Sequence, residues 1–197
     1  EKVERKDFMT ILFAAILGMC INMLAFFRGL ELSTPINSGV IITLSPVIVL
    51  ILSYIFLKEK ITLLKLFGIL IGFSGAVFLI FNSAKTGINA PNIPVGNSLF
   101  LLNASAFAGY LVVIKPLTKK YNVFTLMKWT FLFGLILSTP LTISEFNSVK
   151  WNSLPWFAIW RMTYVVVGTT FFTYLFNTYA LKSLSPTTVG SFIYLQP

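Results

Sequence analysis

Gly29–Pro46 reads GLELSTPINSGVIITLSP, and Ala180–Pro197, at the far end of the chain, reads ALKSLSPTTVGSFIYLQP. Aligned without gaps, the two share Leu30/Leu181, Pro35/Pro186, Gly39/Gly190, Ile42/Ile193, Leu44/Leu195 and Pro46/Pro197. The shared set includes both prolines and the glycine, residues that shape backbone rather than surface. Each copy follows a long apolar run and enters another. An apolar chain that repeats itself in this way is expected to be built from two related halves.

Composition says what solvent those halves occupy. Mean hydropathy is +0.85, and 11% of the 197 residues are charged, against about 25% in a typical soluble domain. A core of this length could not hide so much apolar surface from water, so the solvent must be lipid. The net charge of +9 would suggest a nucleic-acid partner in a soluble protein. Here the basic residues sit in short segments between apolar runs, the distribution expected of cytoplasmic loops. No nucleic-acid partner is expected. With no histidine and one cysteine, Cys20, the chain cannot build a disulfide, a structural zinc site, a haem ligand pair or a Ser/His or Cys/His catalytic arrangement. No metal and no cofactor are expected. The chain starts at Glu1 and ends at Pro197 on the edge of an apolar segment, so a longer membrane protein is expected.

A membrane-spanning helix needs about 20 mostly apolar residues. Six runs qualify: Phe8–Phe27, Ile36–Leu57, Ile61–Phe81, Asn97–Ile114, Tyr121–Ile143 and Trp156–Leu181, and a seventh starts at Pro186. The longest polar stretch, Asn82–Pro94, divides them. Residues 1–82 then form the later part of a first repeat, 83–96 an extracytoplasmic linker, and 97–197 a second repeat. If the N-terminus is cytoplasmic, that side holds ten basic residues: Lys2, Arg5, Lys6, Lys58, Lys60, Lys65, Lys115, Lys119, Lys120 and Lys182. The other side holds four, Arg28, Lys85, Lys150 and Arg161, with Lys128 uncounted. The positive-inside rule therefore places the N-terminus inside.

The echo joins spans one and two, and again spans six and seven. Five spans separate the copies, an odd number, so the copies cross the membrane in opposite directions. The expected fold is all-α: a polytopic membrane helix bundle of inverted five-helix repeats, truncated at both ends.

Leu44–Ile80, LSPVIVLILSYIFLKEKITLLKLFGILIGFSGAVFLI, resembles the EamA-type permeases of the drug/metabolite transporter superfamily. Pro46, Glu59, Gly68 and Gly75 match that pattern of a helix with a central proline, an acidic residue after its cytoplasmic end and a glycine-rich helix. Pro186 and Pro197 extend the match more loosely into the second half. The resemblance implies ten spans in two inverted five-helix repeats, of which this chain would be the third to the start of the ninth. It also implies an integral protein of the cell membrane, a bacterial inner membrane being the expected location.

Polar residues inside spans are the candidate substrate-binding groups. Asn22, Asn103 and Asn177 lie inside spans one, four and six, with Ser45, Tyr110, Tyr174 and Gln196 at comparable depth. An amide facing lipid would leave donors and acceptors unpaired, so these should face protein or water. For each, a helix-to-helix hydrogen bond is the competing explanation. Pro46 and Pro197 are candidate hinges, since a mid-span proline frees the carbonyl four residues earlier, although an ordinary kink does the same. Gly68, Gly72 and Gly75 suit close helix packing. Glu59, between Lys58 and Lys60, reads as an interfacial ion pair before a proton-coupling group, and Lys128 and Arg161 should snorkel to the interfaces.

These expectations converge on a secondary transporter, exporting small metabolites such as amino acids or drug-like compounds by alternating access of two halves. Its partners would be a small-molecule substrate and the lipid bilayer, with a homodimer left open. Nothing matches G-x-x-x-x-G-K-[ST], so ATP is not a direct energy source within this chain. A membrane-embedded enzyme would need acids, bases or metal ligands at depth, and the sole aspartate is Asp7. A non-transporting scaffold would have no use for two-sided symmetry. Spans one, two, four, six and seven should share a cavity, with span three outside it.

Overall fold

The computed structural model describes residues 2–83 and 90–195. Gln196 and Pro197, nominated above as a binding residue and a hinge, lie outside the described residues, as do residues 84–89 of the expected linker. The described chain is helical almost throughout. Helix α1 spans Arg5–Leu32, α2 Pro35–Leu57, α3 Leu63–Ser83, α4 Ile93–Ile114 and α5 Val123–Ser148. Helix α6 covers residues 156–180, and α7, Pro186–Ser191, continues into a 3₁₀ turn at Phe192–Leu195. Among the described residues, α1, α2, α4 and α5 are long and apolar enough to cross a membrane.

The helix starts follow capping chemistry. Pro35 and Pro186 each occupy the first turn of a helix, where a missing N–H costs nothing. Before them stand Thr34, whose hydroxyl accepts the Asn37 amide at 3.2 Å, and Ser185, whose hydroxyl accepts the Thr188 amide at 3.3 Å. The Asn92 side chain caps α4 by accepting the Val95 amide at 3.3 Å. Helix α2 ends where Lys58 turns left-handed (φ 54°), and the Glu59 amide reaches back to the Ser53 carbonyl at 3.1 Å.

Two irregularities matter for function. Helix α2 breaks after Ile42 and restarts at Ser45, with Pro46 in the new first turn. Pro46 has no amide to give the Ile42 carbonyl, so the backbone tightens: Thr43 N bonds Val40 O at 3.2 Å, and Leu44 N bonds Ile41 O at 3.0 Å. Helices α1 and α6 each contain a π-helical segment, Ile16–Ile21 and Tyr164–Phe172. On the gapless alignment of the echo, Ile21 pairs with Phe172, so both segments end in the same register.

Helix α4 lies at the centre, packed along α1 and α2; α1 also packs on α5, α5 on α6, and α7 on α2. Small residues permit the approach. A Cβ on Gly96 of α4 would stand 3.0 Å from the Gly29 carbonyl oxygen of α1. The buried core gathers Ile11, Ala14, Ala108, Leu111, Ile114, Leu126 and Leu181. Helix α3 stands to one side, against the first half of α2 and the Phe192–Leu195 turn. Of its three glycines, Gly72 meets a neighbour, where a Cβ would come within 2.5 Å of the Tyr194 ring; Gly68 and Gly75 face open space. Large apolar side chains point outward, among them Leu64 (84% exposed), Trp156 (76%) and Ile71 (72%). In water such a surface would aggregate; in a bilayer it is the solvated face.

Charged groups separate to the two ends. At one end, Lys120 pairs with Asp7 at 2.7 Å, Tyr121 donates to Asp7 at 2.7 Å, and the Glu4 amide donates to Tyr121 at 3.1 Å. Lys115 donates to the carbonyls of Leu181 and, at 2.8 Å, Leu184. Glu59 pairs with Lys65 and accepts from the Thr187 hydroxyl at 3.0 Å. At the other end, Arg28 pairs with Glu31 at 2.8 Å and with Glu145. Lys128 lies 5.4 Å over the Trp129 ring and Arg161 5.2 Å over Phe157.

Candidate functional site

Five of the helical segments line a cavity of about 670 Å³ that is open on one side, where Phe27, Val165 and Phe192 are exposed. Helix α1 contributes Asn22, Met23, Phe26, Phe27 and Leu30; the α2 break contributes Ile42 and Ser45; α4 contributes Asn103 and Phe107. Helix α6 adds Val165, Thr169, Thr170, Thr173, Tyr174 and Asn177, and the last segment adds Val189, Phe192 and Ile193. Helix α3 supplies none of these residues.

The floor is a clasp of amides. Asn22 Nδ2 donates to the Asn103 carbonyl at 3.1 Å, and Asn103 Nδ2 donates back to the Asn22 carbonyl at 2.8 Å. Tyr174 extends the clasp to α6: its hydroxyl meets Asn22 Oδ1 at 3.0 Å and the Gly18 carbonyl. Gly18 lies in the π-helical segment, where the Asn22 amide bonds Leu17 O, five residues back. Wider winding shifts the register and gives side chains of other helices access to backbone carbonyls. In lipid these bonds hold α1, α4 and α6 together.

Of the seven residues nominated for binding, Asn22, Ser45, Asn103, Tyr174 and Asn177 line this cavity. Tyr110 does not. It is fully buried behind the wall, its hydroxyl 2.8 Å from Thr178 Oγ1 and its ring 5.1 Å from that of Tyr174. A Cβ on Gly18 would come within 2.6 Å of that ring, so Tyr110 fills the space that the glycine leaves. Tyr110 is thus a packing and hydrogen-bonding residue that backs Tyr174.

The polar groups differ in how far they are committed. Ser45 lines the cavity although it is 1% exposed, and its hydroxyl bonds no described residue. The Asn177 amide and the Thr170 and Thr173 hydroxyls are likewise without partners among the described residues, whereas Thr169 donates to Val165 O of its own helix at 2.8 Å. Sequence reasoning missed the three threonines and the phenylalanines Phe26, Phe107 and Phe192, one from each of three helices. The signal was available for Thr170, Thr173 and Asn177, which recur at the spacing of one helical face. Among the described residues no lining group is charged, and no cluster of His, Cys, Asp or Glu could hold a metal.

The sequence pattern of the EamA-like transporter family matches residues 1–81 and 94–197. An uncharacterized transporter of Archaeoglobus fulgidus is 28% identical over all of this chain and 68% of its own length. The uncharacterized transporter YetK of Bacillus subtilis is 25% identical over 88% of this chain and 52% of its own length. A WAT1-related protein of Arabidopsis thaliana is 29% identical over 62% of this chain and 36% of its own length. The chain therefore spans between about one third and two thirds of these relatives. A crystal structure that is 18% identical superposes with a TM-score of 0.68 over 95% of this chain and 75% of the other. That likeness concerns the fold.

Proposed function

The chain belongs to the EamA-like transporter family, and from that membership together with the cavity we propose that the protein is a secondary transporter that exports small metabolites or drug-like compounds. The cavity carries the reading. It lies where α1, α2, α4, α6 and α7 converge, and its lining joins amides, hydroxyls and aromatic rings, the mixture that binds a small organic molecule. The break in α2 at Pro46 and the two π-helical segments interrupt helices at this wall. Interrupted helices beside a cavity between helices are a recurrent feature of transporters.

Alternating access would come from two inverted halves rocking about the cavity. Three local correspondences support the repeat: the matching ends of the π-helical segments, the Thr34 and Ser185 caps, and Pro35 and Pro186 in the first turns behind them. The N-terminal segment would be cytoplasmic by its excess of lysine and arginine. The test is counterflow in proteoliposomes with a panel of labelled amino acids and amphiphilic drugs. Saturable flux above protein-free vesicles is expected, reduced by Asn22→Leu at equal incorporation. Flux no faster than in protein-free vesicles for every compound would refute transport.

A further inference from the structure

The cavity is sealed toward the end of the bundle that holds Asp7, Glu59 and Lys120. On that side its lining stops at Asn22 on α1, Ser45 on α2, Phe107 on α4 and Asn177 on α6. Nearer that end the same helices carry Ala14, Val49, Leu111 and Thr178, all fully enclosed. Helices α2 and α7 pack on each other through this layer. A Cβ on Gly190 would stand 3.1 Å from Val49, so the glycine lets the two helices close. One face of α2 carries Ser45 at the cavity, Val49 at Gly190 and then Ser53, whose enclosed hydroxyl has no hydrogen-bond partner among the described residues. A buried hydroxyl left unpaired is costly, and water entering along this face would satisfy it. The seam ends at Glu59. Its carboxylate pairs with Lys65 of α3 and accepts from Ser185 and, at 3.0 Å, from Thr187 Oγ1, at the start of α7. Helix α1, by contrast, is held at both ends, by Asp7 with Lys120 and by Arg28 with Glu145. That leaves the α2–α7 seam as the place where the layer can part.

Resting on the transport reading above, we propose that Glu59 and Thr187 latch this seam, and that its release opens the cavity toward the Glu59 end. Val49 and Gly190 then separate, and Ser53 is hydrated. Access that alternates between two sides needs a closure able to yield. Here the closure is one carboxylate holding the first turn of the short helix Pro186–Ser191.

The reporter is Ser53→Cys in a Cys20→Ser background. Its reaction with a small methanethiosulfonate is followed on the intact purified protein in nanodiscs, where both faces meet the reagent. Labelling of an enclosed thiol follows the population of the open form. Glu59→Gln and Thr187→Val should each speed it by about tenfold, the usual size of a lost hydrogen bond to a charged group. Thr187→Ser, which keeps the hydroxyl, should label at the parent rate, as should Asp7→Asn, which frees α1 instead. A second reporter, Ala14→Cys, starts equally enclosed and should stay slow in every variant. An unchanged rate in Glu59→Gln, a rise matched by the Ala14 reporter, or a rise as large in Asp7→Asn or Thr187→Ser would each overturn the latch. These rates need no substrate. Absent flux across the wider panel would therefore refute transport and leave them readable, while unchanged rates would remove the latch with transport standing.

Discussion

The bond between Tyr174 and Asn22 can be isolated by a double-mutant cycle. Asn22→Leu removes two side-chain bonds, the one given to the Asn103 carbonyl at 3.1 Å and the one taken from Tyr174 at 3.0 Å. Tyr174→Phe removes the same Tyr174 contact and the one to the Gly18 carbonyl. Interhelical hydrogen bonds in membranes average about 0.6 kcal/mol and reach about 1.7. Each single variant, losing two contacts, should therefore cost about 1.2 kcal/mol. One contact is common to both, so the double variant should fall short of the sum by about 0.6 kcal/mol. Neither substitution changes volume greatly, so cavity terms stay small. Unfolding in mixed micelles, followed by helical circular dichroism, measures the four corners of the cycle. Energies that add to within about 0.3 kcal/mol would show the two side chains to be independent, and the clasp would lose its claim to tie α6 to α1.

Gly18→Ala should destabilise by about 1–3 kcal/mol, because the new methyl meets the fully buried Tyr110 ring at 2.6 Å. Gly68→Ala, with nothing within 4 Å of the new Cβ, should be neutral or stabilise by up to about 1 kcal/mol through helix propensity; parallel thermal unfolding in detergent checks both. Burial pushes the Glu59 carboxyl up, but bonds from Lys65, Ser185 and Thr187 and the nearby Lys65 charge hold it below its ordinary value of 4.5. A lowered pKa means that this contribution is complete above pH 4.5 and is lost as pH falls through the folded-state value. Unfolding curves of the native protein and Glu59→Gln should thus differ at neutral pH and converge in acid; a constant difference across that range would disprove the linkage. In a Cys20→Ser background, a cysteine at Ser153 should react with an impermeant thiol reagent in intact cells, while one at Lys119 should not. The opposite pattern would reverse the orientation.

Much of the architecture can be read without coordinates, because lipid imposes a simple rule. A run that cannot hydrogen-bond to solvent must be helical, and the apolar runs found in the sequence are the helices of the structure, with ends shifted by a few residues. Helix α1 starts at Arg5 rather than Phe8 because Asp7 in its first turn is held by Lys120 and Tyr121. The prolines also act locally. Pro35 and Pro186 start helices behind hydroxyl caps, and Pro46 interrupts α2, as chemistry confined to a few neighbours requires.

The direction in which each polar side chain points was a different matter. Asn103 and Tyr110 lie seven residues apart on α4, two turns along nearly the same face, yet one lines the cavity and the other is sealed behind it. What separates them is the neighbour: Tyr110 fills the space beside Gly18 and meets Thr178, a relation between three helices that no single segment encodes. The same holds for Gly72, which meets Tyr194, while Gly68 one turn away meets nothing. The π-helical segments add a further reason. Each rotates the residues that follow relative to a regular 3.6-residue helix, so faces projected along α1 or α6 drift out of phase. Sequence alone determined the solvent, the helices, the break at Pro46 and the amides that had to face protein or water, all consequences of local chemistry in a medium without water. Only the tertiary structure decided which of those amides bond each other and which groups are left over for a ligand, because that depends on how the helices pack.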